Sequence, residues 1–276
     1  MPERRRVEHK GRTIRRSIET TATPRQIWDA WADPARLAQW FPDRVEGHAI
    51  EGAVQRWYFD RFGYALPYEV HSAVPGEHLV LTGEVPGRPR FYLEIDIAQA
   101  GGQTTLTLTN SGFLDTDGWD EEFEGIVSGW TMCLALLKLY AERYYGRDRA
   151  QFFVMRPGAY EYPDLLEAYR DPIRLASWLT TEGGIGNPGE PYALTLREGQ
   201  QVSGHVLAVT GWEVQLSWDE IDGALALKGF GLGGRRRAIC IHGSGWGLPP
   251  DRAAQLERQF GDALDRLGPQ LAAQPA

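Results

Sequence analysis

The residues able to do chemistry are few and loosely spaced. The chain has six histidines: His9, His48, His71, His78, His205 and His242. None falls into an HxxxH or HExxH pattern, so the spacing gives no metal site and implies no cofactor. His48 and His71 are kept as polar groups able to face a cavity. Cys133 sits in a helical pattern and Cys240 in a strand-like one, and both read as buried, inert thiols. His242-Gly243-Ser244-Gly245 is close to a nucleophile elbow but lacks the glycine two residues before the serine. Gly184-Ile185-Gly186-Asn187-Pro188-Gly189 has dinucleotide-loop spacing, yet a helical pattern precedes it and a strand, Tyr192 to Leu196, follows. A phosphate cradle needs strand, turn and then a helix N-terminus. Gly229 to Gly234 fails in the same way, because Arg235-Arg236-Arg237 leads into another strand and the segment reads as a glycine-rich hairpin. Asp120-Glu121-Glu122 and Glu124 open a helix, where acids favour the helix dipole. No catalytic residue is assigned.

The aromatic side chains are the stronger signal. The chain carries 10 Trp, 11 Tyr and 10 Phe, and residues 1–146 hold nineteen of these 31. Trp28, Trp31 and Trp40 read as core. Trp57, Tyr58, Phe59, Phe62, Tyr64 and Tyr68 crowd the middle strands beyond what one dry face absorbs by alternation. Such a density suits a ligand wall or an exposed interface, because aromatics supply large apolar area with few rotors. Gly125 and Gly129 interrupt the helical stripe that follows, each costing about 1 kcal/mol against alanine. Either a neighbouring element approaches closely there or helix backbone faces a bound molecule.

The elements that must position these residues come from an internal repeat. Asp33-Pro34-Ala35-Arg36-Leu37-Ala38-Gln39-Trp40-Phe41 recurs as Asp171-Pro172-Ile173-Arg174-Leu175-Ala176-Ser177-Trp178-Leu179, with six of nine positions identical. Ser111-Gly112-Phe113 recurs as Ser244-Gly245-Trp246. Two copies of this length are two domains rather than a solenoid. Each copy opens on a strand (Thr13 to Thr21; Gln151 to Met155) and continues into short helices, the first with Thr23 as N-cap and Pro24 at its first position. Alternating segments follow, such as Phe91 to Ile97, Thr105 to Thr109 and Trp212 to Asp219. Their period of two predicts an antiparallel sheet with one wet and one dry face. Gly101-Gly102 and Asp222-Gly223 read as hairpin turns. Long helical stripes close each copy, Phe123 to Tyr144 and Ala253 to Leu271, the first taken as a helix from Trp119 to Tyr145. Gly146 to Arg149 reads as the hinge.

Composition bounds the function. Of 276 residues, 42% are hydrophobic and 24% charged, a globular balance, and the net charge of −8 excludes a chain built to hold a nucleic-acid backbone. No apolar run approaches a membrane span, so membrane insertion is not expected. Seven of the first sixteen residues are Lys or Arg, read as a solvated arm, and no apolar h-region follows. A cytoplasmic location is therefore expected.

Ala22-Thr23-Pro24, Ile27 to Trp31, Asp33-Pro34, Leu37 to Trp40, Thr107 to Phe113 and Gly129-Trp130 together resemble START-like (SRPBCC) proteins, in the branch related to the heat-shock ATPase activator domain. The resemblance implies an α+β fold of two tandem helix-grip domains, each a curved antiparallel sheet around a long C-terminal helix. It covers most of residues 13–145 and is weaker over 151–272. The expected domains are 1–146, with an aromatic-rich cavity, and 147–276, more divergent and read as a packed, ligand-free partner. Relatives of this kind carry lipids or hormones, cyclise polyketides, assist chaperones, or capture reactive polyketide antibiotics as self-resistance. The expected partner is a hydrophobic small molecule, polycyclic and polyketide-like, held by Trp57, Phe59, Tyr68, Phe91 and Leu93 on the sheet side. Phe113, Phe123, Gly129 and Trp130 complete the expected site. Tyrosine hydroxyls and indole N–H groups would orient the molecule. A cyclase or aromatase would need His48, His71 or Tyr68 as acid or base. An interaction module would need a filled cavity and an exposed apolar patch. The sequence leaves a homodimer open.

Overall fold

The computed structural model describes residues 11–84, 90–113, 120–232 and 237–271. The basic N-terminal run before Gly11, Trp119, and Gly233 to Arg236 lie outside the described residues. Two compact units divide the chain, Met1–Gly146 and Arg147–Ala276.

Unit 1 runs β1 (Arg12–Thr20), α1 (Pro24–Ala32), α2 (Pro34–Leu37), β2 (Arg44–Glu46), β3 (Val54–Phe59), β4 (Tyr64–Val74), β5 (His78–Gly83), β6 (Phe91–Ala100), β7 (Gln103–Phe113) and α3 (Asp120–Leu139). Unit 2 repeats the order: β8 (Arg149–Gly158), α4 (Tyr162–Arg170), α5 (Pro172–Trp178), β9 (Thr180–Gly184), β10 (Pro191–Leu196), β11 (Gln201–Val209), β12 (Glu213–Trp218), β13 (Gly223–Gly231), β14 (Arg237–Trp246) and α6 (Pro250–Leu271). Each unit forms a seven-stranded antiparallel sheet with its first strand beside its last, β1-β7-β6-β5-β4-β3-β2 and β8-β14-β13-β12-β11-β10-β9. The chain is two tandem α+β helix-grip domains.

The repeated Asp-Pro…Trp segment is structural. Asp33 caps α2 by accepting from the Ala35 N–H, and Asp171 caps α5 by accepting from Ile173 and Arg174. The Trp40 indole donates to the Ala30 carbonyl at 2.8 Å, and the Trp178 indole donates to Ala168 at 3.0 Å. Both indoles are wholly buried. Each therefore bolts its short helix to the one before it with a satisfied buried donor. Thr23 caps α1 in a reciprocal box with Gln26, and Pro24 follows as the first helical residue. Thr23→Ala is expected to cost about 1 kcal/mol. Urea denaturation should show that loss as a lower midpoint with an unchanged slope.

Two expectations are corrected. The sheets do not keep one wet face throughout: all six residues of β12 are buried, including Glu213, Gln215 and Ser217. Glu213 is held by Lys228 on β13 at 3.5 Å, and Ala224 and Ala226 keep that neighbour strand low. Asp222-Gly223 is not a two-residue hairpin. A 3-10 turn, Asp219–Ile221, joins β12 to β13, and Asp222 closes it in the left-handed region at φ 49°. Gly101-Gly102 does turn β6 into β7 with φ of 58° and 83°.

The long helix of unit 1 ends as a π-turn, Tyr140–Tyr144, keeping Tyr140, Ala141 and Tyr144 buried. The Tyr145 hydroxyl donates to Asp29 on α1 at 3.2 Å.

Candidate functional site

The concave face of the unit 1 sheet is set by register. Trp57 pairs with Leu66, Gln55 with Tyr68, Leu81 with Leu93, and Leu93 with Asn110, so these residues share one face. Trp130 reaches the same face from α3: its indole donates to Asn110 Oδ1 at 2.9 Å, and the Asn110 amide donates to the Tyr92 carbonyl at 2.9 Å.

An aromatic chain lines this face. Trp57 and Tyr68 ring centres are 4.2 Å apart, and Tyr68 and Phe91 are 5.7 Å apart. Phe41, which sequence reasoning did not place in the site, ties the rest together. It lies 5.5 Å from Trp57, 5.6 Å from Phe59 and 5.6 Å from Trp130. Its signal was its place directly after the repeated Trp40. Phe113 and Phe123 form a second pair at 5.6 Å, with the Arg12 guanidinium 3.8 Å above the Phe123 ring.

The predicted residues divide by exposure. Trp57 and Leu93 are sealed at 0% and 1%. The Trp57 indole donates to Gln55 at 2.8 Å, so Trp57 backs the wall rather than fronting it. Tyr68 and Trp130 are buried but keep a little surface, and Phe59, Phe91, Phe113, Phe123 and Gly129 are half-buried. The fronting surface is therefore Tyr68, Phe91, Phe59 and the helix residues.

The glycines of α3 separate the two units. A side-chain carbon added at Gly125 or Gly129 would meet no atom within 4 Å. Close approach of another element does not explain them. Aromatic rings pack along the long helix of unit 2. Phe260 of α6 stacks on Phe152 at 5.5 Å and 4°, and Trp218 stands edge-on to it at 6.0 Å. A carbon added at Gly261 would lie 3.7 Å from Val154. The surface hollows of unit 2 mix polar and apolar groups, among them Arg147, Glu220, Trp246 and Leu248 in one and Leu166, Arg170 and Ile185 in another.

Acid–base candidates fall away from the concave face. His48 is exposed. His71 sits at a bulge in β4, with its ring edge-on to Tyr92, which alternates with Leu93 and so lies on the convex side. Burial pushes the Tyr68 phenol far above its ordinary value, with Tyr64 adding to the effect. Convex pairing also gathers His78, Glu94 and Asp96, which spacing did not reveal: His78 Nδ1 is 2.9 Å from Asp96, and Nε2 is 3.8 Å from Glu94. This group stands apart from the aromatic wall.

The remaining motifs are structural. Ser244 lies inside β14 and is buried, not on an elbow. Gly184–Gly189 joins β9 to β10, so a strand rather than a helix precedes it, and no helix follows. Burial pushes the Cys240 thiol up to about 12. The thiolate is thus only a trace species near neutral pH, and alkylation of the native protein at pH 8 should leave Cys240 unmodified. Unfolding should expose it to full labelling, read by mass spectrometry.

The fold is that of tandem helix-grip domains, and the comparisons with known proteins agree with it. The family model described as Activator of Hsp90 ATPase homolog 1-like protein matches residues 21–142, which lie within the first unit. Curated proteins provide no match. Among solved structures, the chain is similar to the Aha1 dimer from Colwellia psychrerythraea, at 19% identity over 47% of this chain and 96% of that one, with a TM-score of 0.42. It is similar over its length to DynU16 from the dynemicin biosynthetic locus, at 20% identity over 94% of this chain and 98% of that one, TM-score 0.41. The di-domain ARO/CYC BexL from the BE-7585A biosynthetic pathway shares 12% identity over 96% of this chain and 100% of that one, TM-score 0.44. No helix among the described residues is long and apolar enough to cross a membrane.

Proposed function

We propose that unit 1 captures a flat, apolar, polycyclic small molecule between the concave sheet face and α3, without transforming it, and that unit 2 is a filled partner. Sequestration of a polyketide-like compound, and with it self-resistance, is the biological form of this reading. The observation that carries it is the contrast between the two long helices. A side-chain carbon at Gly125 or Gly129 of α3 would meet no atom within 4 Å, whereas Phe260 of α6 is wholly buried and stacked on Phe152. Flat rings set against Phe59, Tyr68, Phe91 and Trp130 would gain about 25 cal/mol per Å² of apolar area removed from water. Capture is favoured over cyclisation because the two histidines lie off the concave face, and Tyr68, held protonated, offers no base there.

The test is a titration of the whole protein with flat polycyclic and linear apolar ligands, followed by tryptophan fluorescence. Each ligand is then recovered and weighed. Saturable binding of the flat compounds with unchanged mass supports capture. A cyclised or otherwise altered product makes the protein an enzyme. No saturable binding by any compound overturns the reading.

A further inference from the structure

The polar groups of the aromatic wall are almost all used internally. The Trp57 indole is taken by Gln55, the Trp130 indole by Asn110 and the Trp40 indole by the Ala30 carbonyl. The Trp31 indole N–H has no partner, but it is wholly buried among Trp40, Trp57 and Trp130, behind the wall and out of a ligand's reach. Tyr68 differs. It projects inward from β4, packed between Trp57 and Phe91, with 5% of its surface exposed. Its hydroxyl has no hydrogen-bond partner among the described residues.

From this we infer that Tyr68 is the polar reading point of the site, and that the captured molecule carries a carbonyl or quinone-type oxygen that accepts its O–H. The inference rests on the capture reading and narrows its ligand class. The hydroxyl is not among the fully buried, unpartnered polar atoms, so water can serve it in the free protein; a ligand lying over it removes that water, and an acceptor on the ligand replaces the lost hydrogen bond. A purely hydrocarbon ligand would leave the donor stranded, which is how a hydrogen-bonding site rejects analogues that lack one group. The phenol is suited to the role. Burial among apolar rings keeps it protonated well above neutral pH, so it is a donor throughout the physiological range. With the indoles engaged, orientation rests on this hydroxyl and not on the tryptophans.

Anthraquinone-2-sulfonate and anthracene-2-sulfonate make a suitable probe pair, equal in charge and shape and differing in the ring oxygens. Each is titrated into the full-length protein and into Tyr68→Phe, with calorimetry and tryptophan fluorescence as readouts. The native protein should bind the quinone roughly tenfold tighter, the worth of one satisfied buried hydrogen bond. Tyr68→Phe should remove that preference, by weakening the quinone and relieving the anthracene of a stranded donor. Equal affinity of the native protein for the two probes, or a preference that survives in Tyr68→Phe, overturns the role of Tyr68 and leaves capture standing. Binding of neither probe overturns capture as well. The native preference is read without any variant, and the thermal midpoint of Tyr68→Phe shows that its fold is intact.

Discussion

Phe260→Ala should destabilise unit 2 by about 3–5 kcal/mol, the range for truncating a buried phenylalanine. Its ring is wholly buried, stacked flat on Phe152 and met edge-on by Trp218. Leu256, Ala263, Leu264 and Leu267 of the same helix are also sealed, so no loose side chain stands ready to fill the gap. A loss of that size is a large share of an ordinary domain's stability. A two-step melt, with the second unit's transition lowered by many degrees, is the expected record in calorimetry. Ligand titration below that transition should be unchanged, because capture is proposed for unit 1. A melt that barely moves would mean that the second core is looser than its ring geometry describes.

Gly129→Leu should do the opposite, leaving stability intact and abolishing capture. Leucine restores helix propensity worth up to about 1 kcal/mol over glycine. An added carbon at 129 meets nothing within 4 Å, so the first atoms of the new side chain enter unoccupied space. That space is where a ligand is proposed to lie. Affinity should fall at least tenfold, roughly 1.4 kcal/mol or more, while the thermal midpoint holds or rises. Gly125→Ala serves as the control, with a similar propensity gain and little bulk. Unaltered affinity in Gly129→Leu would move the site away from α3.

Much of the fold could be read before any coordinates, and the reason is local chemistry. The Thr23 cap, the Asp33 and Asp171 caps, and the alternation along β6 and β7 are short-range patterns that survive folding. The turn at Asp222 was misread because two residue types resemble a hairpin, while the actual turn spans four residues and depends on where β13 begins. The site was partly legible. Aromatic density marked the wall, but density cannot separate Trp57, sealed by Gln55, from Tyr68, which keeps an open hydroxyl. Phe41 was passed over because its contacts with Phe59 and Trp130 are made only when distant strands and α3 converge. His78, Glu94 and Asp96 show the same limit, since no spacing along one strand reveals a pairing between two.

The placement of β1 beside β7 governs the order in which unit 1 can assemble. Arg12 pairs with Phe113, and Thr20 with Thr104, across most of the unit's length. A chain emerging from the ribosome can form α1, the α2 turn and the Trp40 bolt soon after β1 has appeared. Its opening strand has no partner until β7 has been made. During that interval Ile14 and Ile18 sit on a strand with both edges open, a state that invites pairing with other chains. The charges of Arg12, Arg15, Arg16 and Glu19 in that strand, three of them basic, are the feature that opposes such pairing.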